Sequence, residues 1–128
     1  MPTRGIDPAG LPVFVYGSLL DPVVLARQSG RRGLMRLAVR AVLLGWRRVG
    51  LRGTAFPTLV RARGCRTDGV LLRLCGAPIR RLIAYEGVAY RLRRVRVRTA
   101  QGPRYACAWI AAASLAARPG EIFPHAQS

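Results

Sequence analysis

The chain contains no lysine and no asparagine. All 22 basic residues are arginines, set against five acids, for a net charge of +17. Ala, Gly, Arg and Pro abound, the bias expected of a GC-rich coding sequence in which Arg takes the surface places of Lys. The excess nevertheless creates a positive field that attracts anions and polyanions. Cysteine is scarce and scattered: Cys65, Cys75 and Cys107 form no Cys-x-x-Cys pair, and His125 is the lone histidine. A zinc site needs about four ligands, or three and a water, so no metal site is expected, and no cofactor. The same shortage argues against a Cys–His dyad or a Ser–His–Asp triad, unless His125 folds back from the C-terminus. An odd number of thiols fits a reducing compartment, with all three expected as small buried apolar residues. The apolar runs are broken by Gly, Pro or Arg before reaching the ~20 residues of a membrane span. Met1 to Gly10 lacks the apolar stretch of a signal peptide. The expected location is cytoplasmic.

With 128 residues and 51% hydrophobic content, the chain suits one domain with a single core. The expected core is 11–111, followed by a C-terminal tail at 112–128. Fourteen Gly and nine Pro imply many turns and short strands rather than a helix bundle. Strands are expected at Leu11–Tyr16, Arg36–Trp46, Phe56–Arg61, Asp68–Leu74, Tyr90–Thr99 and Tyr105–Ala111. Gly45-Trp46-Arg47-Arg48 reads as the entry to a Gly-rich loop, and Arg63-Gly64-Cys65 as a turn. In Tyr90–Thr99 the valines 95 and 97 alternate with arginines 94, 96 and 98, while Tyr90 and Leu92 are out of phase, which predicts a bulge near Arg93. Gln101-Gly102-Pro103 reads as a hairpin turn. Helices are expected over Asp21–Gln28 and from Gly76-Ala77-Pro78 to Gly87, with a helical turn in the Ala-rich stretch after Ala112 and a break at Pro119-Gly120. The fold class is α+β: a small mixed β-barrel of about six strands with flanking short helices.

The chain is organised around Pro12-Val-Phe-Val-Tyr-Gly-Ser-Leu-Leu-Asp-Pro22. Val13 to Tyr16 reads as a buried strand. Gly17-Ser18 allows a tight turn that exposes backbone N–H groups. Asp21-Pro22 is a helix start, with Asp21 as cap and Pro22 at the first helical position. Such a strand–turn–helix unit can present N–H donors to a small anion.

Glu86 is the most informative single residue. It falls seven positions after Ile79, on a helix face otherwise formed by Ile79, Leu82 and Ile83. A carboxylate there must be paired, hydrogen-bonded, or kept partly neutral. One outcome is a structural pair with an arginine. The other is a general base held in a cleft, its pKa raised by apolar walls. Tyr16 and Tyr90 each adjoin a glycine-containing turn, and their hydroxyls are expected to reach a partner.

Taken together, Val13-Phe-Val-Tyr-Gly-Ser-Leu-Leu20, Gly45-Trp-Arg-Arg48, Phe56-Pro-Thr-Leu-Val60, Asp68-Gly-Val-Leu71 and Tyr85-Glu-Gly-Val-Ala-Tyr90 resemble the gamma-glutamylcyclotransferase-like family. The resemblance runs from about Leu11 to Ile110. It implies a barrel with a cavity at one mouth. The Tyr16-Gly17-Ser18-Leu19-Leu20 turn would grip the glutamyl end of a substrate, Glu86 would be the acid/base, and Tyr90 would line the same pocket. The implied reaction is release of 5-oxoproline from a gamma-glutamyl peptide, amino acid or amine. The alternative reading is a non-catalytic module that holds a small anion, or binds RNA phosphates along Arg91–Arg98. The chain departs from the family pattern at Ile83, where an acid often stands, and in the tail beyond Ala111. The leaving group and the oligomeric state stay open, and no membrane partner is expected.

Overall fold

A computed structural model describes residues 10–54 and 56–117. Five strands close into a barrel: β1 (Val13–Val15), β2 (Val39–Gly50), β3 (Pro57–Leu72), β4 (Tyr90–Thr99) and β5 (Gly102–Ala111), in the spatial order β1-β3-β2-β4-β5. Two helices, α1 (Pro22–Ser29) and α2 (Ala77–Glu86), flank it, with single 3-10 turns at Ser18–Leu20, Leu34–Leu37 and Ala113–Leu115. Tyr16 lies just past β1, and α1 begins and ends as its punctuation requires. The Asp21 carboxylate accepts from the Val23 N–H at 2.9 Å, and Gly30 closes the helix in the left-handed conformation.

Two apolar clusters explain the burial pattern. Phe14, Tyr16, Leu43, Leu59, Val95 and Val97 meet inside the barrel. Val13, Val15, Leu72, Leu92 and Trp109 point outward, beneath Leu25 of α1 and Ile79 and Leu82 of α2. A strand between these layers is buried on both faces, so Val13, Phe14 and Val15 form an unbroken apolar run rather than an alternating one. The same geometry accounts for the phase change in β4. Leu92 faces the helices while Val95 and Val97 face the barrel interior. The expected bulge near Arg93 is absent, since β4 pairs with β5 in unbroken register from Tyr90↔Ala111 to Thr99↔Gly102. The hairpin turn falls at Ala100-Gln101, one residue earlier than expected.

Other expectations are corrected. The two strands expected on either side of Arg63-Gly64-Cys65 are one 16-residue strand, β3, which makes the barrel five-stranded rather than six-stranded. The local signal was real but modest in effect. Leu44 pairs with Arg66 and Trp46 with Arg61, so Ala62 to Cys65 stand opposite Gly45 alone. Gly45 and Gly64 both have positive φ, which lets the hairpin bend there without ending. β2 likewise runs through Trp46 to Gly50, and the chain leaves the strand only after Gly50. Ile83 is exposed, because the final turn of α2 rolls that side away from the barrel. Cys75, in the link between β3 and α2, is exposed rather than buried; Cys65 is intermediate and Cys107 is buried.

Gly69 of β3 lets β1 lie close. A Cβ there would collide with the Val15 carbonyl oxygen and come within 2.7 Å of the Phe14 ring. At the other end of the barrel wall, the Ala117 N–H donates to the Gly50 carbonyl at 2.9 Å, tying the start of the tail to β2. Pro119-Gly120 and His125 lie outside the described residues. Among the described residues, no helix is long and apolar enough to cross a membrane.

Candidate functional site

The end of β1, the start of β3 and the C-terminus of α2 converge on one cavity of about 110 Å³. It has room for a ligand of several heavy atoms. Tyr16, Gly17, Ser18, Leu19, Glu86 and Tyr90 all line it. These residues come from stretches some seventy positions apart in sequence, about as the spacing of Ser18 and Tyr85 shows. Leu20 does not line this cavity. It lies on a separate groove and packs against the outer cluster. Its N–H is also committed, donating to the Gly17 carbonyl at 3.0 Å. The N–H groups of Ser18 and Leu19 make no backbone hydrogen bond among the described residues.

Glu86 ends α2, where Gly87 turns the chain away. Its side chain is partly buried and desolvation lifts its pKa from 4.5 to about 7. Among the described residues no arginine reaches it, and the ion pair that does form is Arg66–Asp68, elsewhere on the surface. The structural Glu–Arg pair is therefore not what this chain builds. Apolar and aromatic residues line the cavity around the carboxyl group, and burial among them disfavours its charged form.

The two tyrosines are held by backbone. Tyr16 donates to the Trp109 carbonyl and Tyr90 donates to the Pro57 carbonyl at 2.6 Å. Burial raises both phenols, first for Tyr16, well above the usual range, and for Tyr90 to about 12; the nearby Glu86 adds to each shift. Both therefore stay protonated at neutral pH. They strut β1 to β5 and β4 to β3, and so fix the cavity walls. Gly17 approaches Pro57 so closely that a Cβ would sit 3.0 Å from its Cγ.

Four lining aromatics escape a reading of the sequence: Phe14, Phe56, Tyr85 and Trp109. Tyr85 is the most informative of these. Its hydroxyl lies 2.9 Å from the Ser18 Oγ, a bond that joins α2 to the turn after β1 across the cavity rim. Its position directly before Glu86 was the available signal, since adjacent residues at a helix end can both border one hollow.

The closed barrel, its two outer helices and the cavity shared by Glu86 and the Tyr-Gly-Ser turn define the class by fold: a small barrel with a hollow at one mouth. The sequence comparison places the chain within that class: a family model described as gamma-glutamyl cyclotransferase, AIG2-like, matches residues 13–125, and the chain belongs to that family. It is 34% identical over 85 residues to Protein AIG2 C of Arabidopsis thaliana, an alignment covering 66% of this chain and 50% of that protein. The chain thus spans about half the length of the curated relative it matches. The solution structure of At5g39720.1 from Arabidopsis thaliana is similar, with a TM-score of 0.69 and 27% identity over 85% of this chain and 72% of that one. A structure titled gamma-glutamyl cyclotransferase shares the fold, with a TM-score of 0.65 and 18% identity over 80% of this chain and 66% of that one.

Proposed function

We propose that the protein is a cyclotransferase that releases 5-oxoproline from a gamma-glutamyl compound, with Glu86 as general acid/base. One observation carries the reading: a carboxyl group without an ion partner among the described residues, its pKa raised to about 7, shares a cavity with Ser18 and Leu19 of the turn after β1. A base is most useful when its pKa lies near the working pH.

The substrate's α-amine attacks its own side-chain amide carbon. Glu86 takes a proton from the amine as the new C–N bond forms. It returns that proton to the amide nitrogen, which leaves as a free amine when its bond to carbon breaks. The reaction is intramolecular, so no protein nucleophile is needed, and the main task is to hold the substrate folded. The Ser18 and Leu19 N–H groups suit the substrate's α-carboxylate or the developing oxyanion. Tyr16 and Tyr90, bonded to backbone, act as walls rather than proton carriers.

The test is to incubate the protein with gamma-glutamyl peptides, amino acids and amines and measure 5-oxoproline. Wild type is expected to release it and Glu86→Gln is not. Release at the full rate by a folded Glu86→Gln removes Glu86 from the mechanism.

A further inference from the structure

We propose that the outer face at the far end of β4, with its neighbour β5 and the groove beside it, binds single-stranded nucleic acid. The face is separate from the cavity. Tyr90 borders the cavity, and Arg98 lies eight residues further along the same strand, about 25 Å away at about 3.3 Å per residue.

The pleat sets the pattern. Val95 and Val97 fill the barrel interior, so Arg94, Arg96 and Arg98 must point out, and all three are exposed. Alternate positions on a strand are about 6.7 Å apart, which gives an evenly spaced row of cations. Tyr105 of β5 pairs in register with Arg96 and is 49% exposed. The Arg94 guanidinium sits 4.3 Å from the Tyr105 ring centroid and that of Arg96 sits 6.0 Å away. On the other side, Val42 of β2 pairs with Arg98. There a groove of about 610 Å³ runs past Arg40, Arg66 and Arg98. Asp68 is the one acid lining the groove, and Arg66 already neutralises it at 3.2 Å.

Two features of this surface match one ligand. The row and groove of arginines suit a phosphate backbone, and the exposed Tyr105 ring, with two guanidinium groups close by, offers a platform on which a base can stack. A duplex keeps its bases stacked on each other and uses the cations alone. A coding bias toward Arg sets which cation is used. It does not bring two of them within reach of one exposed aromatic ring, nor keep acids off the neighbouring strands β2 and β5.

The experiment is fluorescence anisotropy with labelled oligouridine and oligothymidine of about 12 nucleotides, within the usual span of single-strand sites. A duplex of equal length and heparin serve as competitors. Both single strands should bind more tightly than the duplex. Affinity should fall with salt, by a log–log slope of about 0.7 for each phosphate neutralised. Arg94→Gln, Arg96→Gln and Arg98→Gln together should reduce that slope by about 2. Tyr105→Leu should weaken binding by roughly 5- to 100-fold while Tyr105→Phe retains it. Thermal melts confirm that each variant is folded. Absence of binding overturns the proposal. Equal binding of duplex and heparin, with no effect of Tyr105→Leu, also overturns it and reduces the face to a general basic surface.

Discussion

The two ends of β4 handle charge in opposite ways. At the Tyr90 end the strand borders a hollow whose one carboxyl, Glu86, forms no ion pair among the described residues. At the Arg98 end the arginines crowd together in water, stacked on Tyr105. In a chain of net charge +17, leaving an acid unpaired is the harder arrangement. The difference arises from the second layer. At the first end the C-terminus of helix α2 and Phe56 wall the hollow and desolvate Glu86, whereas among the described elements no helix is laid over the arginine row. The lesson is that burial, rather than local charge density, decides how each group behaves.

That contrast can be broken or sharpened in four ways. The largest effect is expected from Glu86→Gln, which should lower 5-oxoproline release by about 100- to 10,000-fold in steady-state kinetics. The next comes from carrying a cation into the hollow. Phe56→Arg places a guanidinium near Glu86 and should pull its pKa down by about 1–3 units. In the wild type, kcat/KM should rise with pH through about 7. In Phe56→Arg that acid limb should move down accordingly, with a loss of rate at neutral pH as the base weakens. A pH–rate profile of each protein checks both.

A third effect is on stability. Burial raises the Glu86 pKa from 4.5 to about 7, so between those values the folded state binds the proton and the unfolded state does not. Stability from this group therefore falls as pH rises through the window, and Glu86→Gln escapes the loss. Allowing for screening of a partly exposed side chain, the variant should be more stable than wild type by about 1–2 kcal/mol at pH 8 and equal to it below pH 4, measured by urea titration. A structural ion pair would give the opposite sign. The smallest effect belongs to the other end of the strand. Arg96→Gln should change stability by less than about 0.5 kcal/mol in the same titration, because its charge is already solvated.

Much of this was legible in the residues. The cap at Asp21, the stop at Gly30 and the limits of α2 followed from local chemistry, which tertiary packing had no reason to override. The meeting of Glu86 with the Tyr16–Leu19 turn was legible only because two short motifs pointed to it together. Other features depend on neighbours that a linear reading does not supply. Gly64 marks a turn by local rules, yet its pairing partner Gly45 bends with it and the strand continues. The phase change at Leu92 looks like a bulge until the strand is seen to lie between two apolar layers. Phe14, Phe56, Tyr85 and Trp109 carry no local mark of a cavity wall, since nothing in one residue says that the space beside it is empty. The family resemblance puts Leu20 in the gripping turn, but one step of a 3-10 turn is enough to aim it elsewhere.

The most direct measurement is a carboxyl carbon NMR titration of the Glu86 side chain, simplified by there being one other glutamate, Glu121, in the chain. A midpoint near pH 7 is the predicted result. A midpoint near the ordinary 4.5 would mean that water or an arginine reaches the carboxyl, and the poised base would not exist.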